Sequence, residues 1–134
     1  MNGVTPYLTI GDSRANEAVD FYKRAFDAEE LGRHPADDGQ RLMHAHLRIN
    51  GADLMLSDHF PEYCGGAAAS APAGITLHLA VDDADPVWSR AVGAGAEVTM
   101  PLADQFWGDR YGQLKDPFGH RWSIGAPSRE PDQG

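Results

Sequence analysis

A single cysteine, Cys64, stands in a chain of 134 residues, so no disulfide can form within it, and a reducing compartment suits it. Basic residues are also scarce. Eleven Lys and Arg face twenty Asp and Glu, for a formal charge of −9. A protein that tracks nucleic-acid phosphates carries a basic stripe, so that class is excluded; an acidic surface favours neutral or cationic partners. No apolar run approaches the roughly 18 residues of a membrane span. The start MNGVTPYLTI lacks both the basic and the apolar parts of a secretory signal. These absences lead to the expectation of a cytoplasmic protein with neither membrane nor nucleic acid as partner. A phosphate-cradling glycine loop is missing too. The lone GxG, Gly93–Gly95, ends a helical stretch and so cannot offer helix N-terminal amides to a phosphate.

What is present is a globular composition, 42% hydrophobic and 23% charged, in a length that suits one domain. Thr5–Ile10 alternates, with Pro6, Leu8 and Ile10 on one face and Thr5, Tyr7 and Thr9 on the other. Thr76–Val81 repeats the pattern, with Leu77, Leu79 and Val81 against Thr76, His78 and Ala80. Each strand leads into a helix. Asp12 or Ser13 is the expected cap of the first, whose stripe is Ala15, Ala18, Val19, Tyr22, Ala25 and Phe26. Asp82 or Asp83 is the expected cap of the second, with Pro86 in its first turn, a stripe of Ala84, Val87, Trp88, Ala91 and Val92, and Gly93 and Gly95 as its stop.

A short strand follows each helix (Glu29–His34; Glu97–Met100), then a turn-rich stretch, a longer strand, and a last strand opened by glycine (Gly51–Ser57; Gly119–Ile124). The chain is therefore a duplication of a βαβββ unit, neither copy of which can bury its sheet face alone. Residues 1–134 read as one α+β domain. Module 1 covers about 3–58 and module 2 about 74–125, joined by the Gly/Ala/Pro-rich linker DHFPEYCGGAAASAPAG, expected to be mobile. In that linker, Phe60 and Tyr63 serve either as satellite packing or as a flap. The tail APSREPDQG is expected to fray.

The strand faces divide by chemistry. Leu8, Ile10, Leu54, Leu56, Leu77, Leu79, Val81, Trp122 and Ile124 belong under the helices. The other face carries Thr5, Tyr7, Thr9, Met55, Ser57, Thr76, His78, Arg121 and Ser123. Small, polar and aromatic residues on a twisted sheet make a groove for a small molecule; the alternative is a solvated sheet face.

With the duplicated unit in view, the segments VTPYLTI, AVDFYKRAF, GADLMLSD, DQFWGDRYG and KDPFGHRWSI together resemble the glyoxalase/bleomycin resistance protein/dioxygenase (vicinal oxygen chelate) superfamily, in its PhnB-like branch. The resemblance runs from about Gly3 to Gly125. It implies two βαβββ modules building a half-barrel mixed sheet with helices outside, and a homodimer in which modules are sometimes exchanged between chains. Metal-using members place His or Glu at four corner positions, which here read Thr5, Met55, Thr76 and Ser123. None is an imidazole or carboxylate, which weighs against glyoxalase or dioxygenase chemistry.

Other candidates remain weaker. His44 and His46 share a strand face, and with His78 they form an alternative ligand set for a metal-dependent lyase, isomerase or dioxygenase. His34, His59 and His120 adjoin turns. Cys64 has no base beside it, and no catalytic residue or cofactor is assigned.

In DQFWGDRYG, Phe106, Trp107 and Tyr111 must be covered by core, dimer partner or ligand. Either the rings plug the sheet end while Arg110 pairs with Asp109 or Asp104, or they grip a flat guest whose cationic part the carboxylates hold. Non-metal members of the superfamily bind large aromatic drugs. By that resemblance the expected function is sequestration of a planar aromatic or cationic natural product in the manner of a drug-resistance protein. The expected ligand-binding residues are Tyr7, Met55, His78, Phe106, Trp107, Arg110, Tyr111 and Ser123. A scaffold whose groove holds nothing is a third possibility.

Overall fold

The computed structural model describes residues 3–128. The chain divides into two compact units, Met1–Ala71 and Pro72–Gly134. The first contains β1 (Tyr7–Ile10), α1 (Ala15–Phe26), β2 (Glu29–Pro35), β3 (Leu42–Ile49), β4 (Ala52–Asp58) and a short 3₁₀ turn at Pro61–Tyr63. The second repeats the order with β5 (Thr76–Ala80), α2 (Ala84–Ala94), β6 (Glu97–Asp104), β7 (Asp109–Lys115) and β8 (Arg121–Pro127). Each unit is an open four-stranded mixed sheet with one helix, ordered β1-β4-β3-β2 and β5-β8-β7-β6. In each, the first strand pairs in parallel with the last, and the remaining pairs are antiparallel.

Periodicity explains the core. Every residue of the α1 stripe is buried, and Phe21 joins it against Tyr22 and Phe26. Leu8, Ile10, Leu54, Leu56, Leu79, Trp122 and Ile124 are buried on the faces assigned to the helices. The α2 stripe is shallower: Ala84 and Ala91 are buried, whereas Val92 is exposed.

The ends of elements are where expectation and structure part. β1 begins at Tyr7 rather than Thr5, because Pro6 has no N–H to give; its carbonyl accepts from Met55 N at 3.0 Å. β6 runs on to Asp104 rather than stopping at Met100, through Pro101. As an edge strand with register shifts on either side of Met100, it tolerates the missing donor. β8 takes in Ala126 and Pro127, so the expected frayed tail starts as strand; residues 129–134 lie outside the described residues.

Neither Asp12 nor Ser13 caps α1. Both sit at positive φ (60° and 59°) in the preceding turn, and Arg14 holds the N-cap position. The capping carboxylate comes instead from the far end of β4: buried Asp58 accepts from Ala15 N at 2.9 Å and from Leu42 N at 2.6 Å. A side chain 43 residues away does the work of a local cap. In α2, Asp83 holds the N-cap position without a side-chain capping bond, Gly93 lies within the helix, and Gly95, left-handed at φ 118°, ends it.

The linker is partly pinned. Arg41 makes paired hydrogen bonds to Glu62 (3.0 and 2.8 Å), bonds Asp38, and lies 4.3 Å over the Phe60 ring, which in turn meets Tyr63 at 5.9 Å. Phe60 is satellite packing, while Tyr63 stays 76% exposed. Among the described residues no helix is long and apolar enough to cross a membrane.

Candidate functional site

Strand alternation on β7 sends Asp109, Tyr111 and Gln113 to the face opposite α2, and Arg110, Gly112 and Leu114 toward it. Gly112 is there because Trp88 of α2 fills the space: a Cβ would stand 2.6 Å from its ring and 2.9 Å from the Leu102 Cα. Arg110 clasps Asp85 of α2 with three bonds of 3.0–3.2 Å and reaches Asp104 at 3.3 Å. These carboxylates raise the Arg110 pKa, Asp85 chiefly. The expected ligand residue Arg110 therefore lies on the helix side, away from Tyr111, where it ties α2 to the β6–β7 hairpin.

The opposite face carries a ladder of rings. His78 on β5 stacks on Tyr111 at 5.9 Å with 25° between planes. Tyr111 meets Trp107 edge-on at 6.0 Å, and Trp107 meets Phe106 at 5.0 Å and 89°. The loop between β6 and β7 is only Gln105–Gly108, so Phe106 and Trp107 sit at the hairpin tip, 96% and 50% exposed. Neither plugs the sheet.

Three of the four rungs are fixed from an edge. His78 Nδ1 meets the hydroxyl of Ser123, buried beneath it, at 2.8 Å. Gln113 Nε2 donates to the Tyr111 hydroxyl at 3.1 Å, and Trp107 Nε1 donates to Asp109 Oδ2 at 3.1 Å. With edges committed, the ring faces remain for a guest. Asp109 adds a negative charge beside the indole, suited to a cation.

Two contributors escaped the sequence reading. Gly125 makes room for His78, since a Cβ there would stand 2.8 Å from the imidazole Cε1. Asp85 turns Arg110 inward. The alternation of Asp109, Tyr111 and Gln113 was the available signal for the face; nothing local marked Gly125.

In module 1, Tyr7 and Met55 are cross-strand partners, and Met55 pairs onward with His46. Tyr7 Oη lies 2.9 Å from His44 Nδ1, and His34 stacks on His44 at 5.9 Å. His34 is thus an exposed residue near the end of β2, beside the turn that follows, and its ring packs on another imidazole. His46 Nε2 instead meets Asp53 at 2.9 Å, so His44 and His46 have separate partners. Asp53 is held below its usual pKa, first by that hydrogen bond and further by Arg48.

The corner positions Thr5, Met55, Thr76 and Ser123 offer hydroxyls and a thioether, a poor donor set for the divalent ion of metal-using relatives. Among the described residues no three His, Cys, Asp or Glu side chains assemble into a group able to hold an ion. The residues do not fit that metal.

The sequence comparisons agree with this architecture. Rv0887c of Mycobacterium tuberculosis is 50% identical over 131 residues, spanning 95% of this chain and 75% of its own. PA1353 from Pseudomonas aeruginosa superposes with a TM-score of 0.74 at 27% identity, covering 95% of this chain and 98% of its own. The PhnB protein from Bacillus cereus gives 0.72 at 22% identity over 93% and 99%, a likeness of fold alone. A family description matches residues 5–124, nearly the whole duplicated unit whose strands and ring ladder are laid out above. The chain belongs to the Glyoxalase/Bleomycin resistance protein/Dioxygenase superfamily.

Proposed function

We propose that this protein is a small-molecule-binding member of its superfamily, one that sequesters a flat aromatic natural product, preferably cationic, without coordinating a metal. The observation that carries the reading is the exposed ladder His78–Tyr111–Trp107–Phe106 with Asp109 at its edge. Three of the four rings, held by Ser123, Gln113 and Asp109, lose little further freedom when a guest arrives, which lowers the cost of binding. The superfamily's own description names bleomycin resistance beside glyoxalase and dioxygenase, so capture is among the roles it spans. By the same likeness the working form is a homodimer, which light scattering after size exclusion measures.

The test is titration with proflavine, a planar aromatic cation, followed by quenching of tryptophan emission. Trp107→Ala and Tyr111→Ala each weaken binding by roughly two- to tenfold, the range of about 0.5–1.5 kcal/mol for one aromatic contact. Unchanged affinity in both variants refutes the proposal.

A further inference from the structure

The sequence holds three asparagines, Asn2, Asn16 and Asn50. Asn16 lies in α1 with both ends of its amide engaged: Nδ2 donates to the Gln40 carbonyl at 3.1 Å, and Oδ1 accepts from Arg33 Nη1 at 2.9 Å. Asn50 is placed differently. It and Gly51 alone make the exposed turn between β3 and β4, closed by the pair Ile49 and Ala52. Both turn residues have positive φ, 52° and 79°, the type I′ hairpin geometry that favours Asn-Gly. A Cβ on Gly51 would meet nothing within 4 Å, so the glycine answers to the backbone angle and leaves its own amide open.

From this turn we infer that Asn50 is a site of spontaneous deamidation, held back by the folded hairpin and released when β3 and β4 separate at that end. The chemistry needs only water. Gly51 N, giving its proton to solvent, bonds to the Asn50 Cγ; the Cγ–Nδ2 bond breaks, ammonia leaves, and a five-membered succinimide closes. Water then opens the ring at either carbonyl. One product is aspartate; the other is isoaspartate, with the main chain rerouted through Cγ. The sum is asparagine plus water giving an acid plus ammonia, with no change of oxidation state.

The same turn that demands Asn-Gly withholds the reaction. A left-handed residue has ψ of roughly +30 to +60°, and in an L-residue that rotation sets the next nitrogen nearly anti to the residue's own Cβ. Gly51 N therefore points away from Asn50 Cγ. Closure needs a large rotation about the Asn50 Cα–C bond, which a two-residue loop cannot make while Ile49 and Ala52 stay paired. The two products then differ in consequence. Aspartate keeps a turn of the Asp-Gly kind, whereas isoaspartate adds a backbone atom to the loop that sets the β3–β4 register. That register carries Asp58, the residue that caps α1.

The other turn of this composition makes a contrast. Asp38 precedes Gly39, but its carboxylate accepts from Gln40 N and Arg41 N at 2.9 Å each, and an ionised carboxylate is a poor electrophile. It does not cyclise at neutral pH.

The test follows the full chain in mildly alkaline buffer, folded and in urea, by mass spectrometry of tryptic peptides. Asn50 is the one asparagine of the peptide Ile49–Arg90, and Asn2–Gly3, in Met1–Arg14, is an internal clock. In urea, Ile49–Arg90 gains the mass of amide replaced by acid at a rate comparable to Met1–Arg14, and an isoaspartyl methyltransferase with labelled S-adenosylmethionine marks it. In the folded protein the Asn50 conversion is slower by about tenfold or more, the factor by which the open hairpin is depleted. Ile49→Ala, checked as folded by circular dichroism, speeds the folded reaction about threefold or more by weakening the closing pair. Gly51→Ala, followed in urea where folding does not enter, slows it about tenfold, because a Cβ crowds the attacking nitrogen. Equal rates folded and in urea, or no change in folded Ile49→Ala, would remove the hold of the turn. No conversion of Asn50 in urea while Asn2 converts, or an undiminished rate in Gly51→Ala, would remove the site.

Discussion

The imidazole of His78 lies where a side chain at position 125 would be: a Cβ on Gly125 would approach its Cε1 to 2.8 Å and its Nε2 to 3.1 Å. Glycine at 125 is therefore a requirement of the ring ladder rather than of the backbone, whose φ there is ordinary.

Gly125→Ala is expected to lift His78 off Tyr111 while β5, β7 and β8 stay paired. Proflavine affinity drops roughly two- to tenfold, as for loss of one aromatic contact. Thermal unfolding and the His78 ring resonances separate displacement from misfolding: a wild-type His78 resonance in a folded G125A variant overturns the account.

Asp58 is expected to be the most sensitive polar residue of module 1. Asp58→Ala removes charge-assisted bonds from Ala15 N and Leu42 N and leaves both amides buried without them, a loss of about 3 kcal/mol in urea unfolding. Asp58→Asn keeps one acceptor and turns an amide N–H toward the other donor, so it recovers less than half. A loss under 1 kcal/mol for Asp58→Ala would show that α1 is capped otherwise.

How much of this was legible in the sequence follows from the range of each interaction. Alternation and the 3.6-residue stripe found both sheets, both helices and the faces of Tyr7, Met55, His78 and Ser123, because those depend on near neighbours. The cap on α1 did not show, since Asp58 and Ala15 meet only once β4 has paired with β1. Arg110 and Tyr111 stand side by side in DQFWGDRYG and so group together in sequence; with β7 starting at Asp109, strand alternation sends the two apart. Gly125 carries no pattern, and its role exists only through His78 on another strand.

Acid should loosen the segment after β4 late. Arg41 N–H and Gln40 N–H, then the Arg41 guanidinium, hold Asp38 at about 2, below its ordinary 3.8; the Arg41 guanidinium holds Glu62 at about 2, below 4.5. Lowered folded values mean that the stabilisation is complete above the ordinary carboxylate range and is lost as pH falls through about 2. The amide resonances of Tyr63 and Cys64 should shift with that low midpoint, and in Arg41→Gln the Glu62 part of the transition moves up toward 4.5. Because the groups are solvent-accessible, added salt shrinks the effect. Identical midpoints in wild type and variant would remove Arg41 from the role.

Dialysis against EDTA is expected to leave both the unfolding temperature and the proflavine affinity unchanged. Metal analysis that finds a stoichiometric divalent ion, lost in His46→Ala or His78→Ala, would instead favour a metal-dependent lyase, isomerase or dioxygenase.

The parallel pairing of β1 with β4, and of β5 with β8, sets an order of events during synthesis. The strand that leaves the ribosome first in each half has no hydrogen-bonding neighbour until the last strand of that half has emerged. Tyr7 and His78 are thus among the final side chains to be seated, and each half acquires its ring platform only on completion.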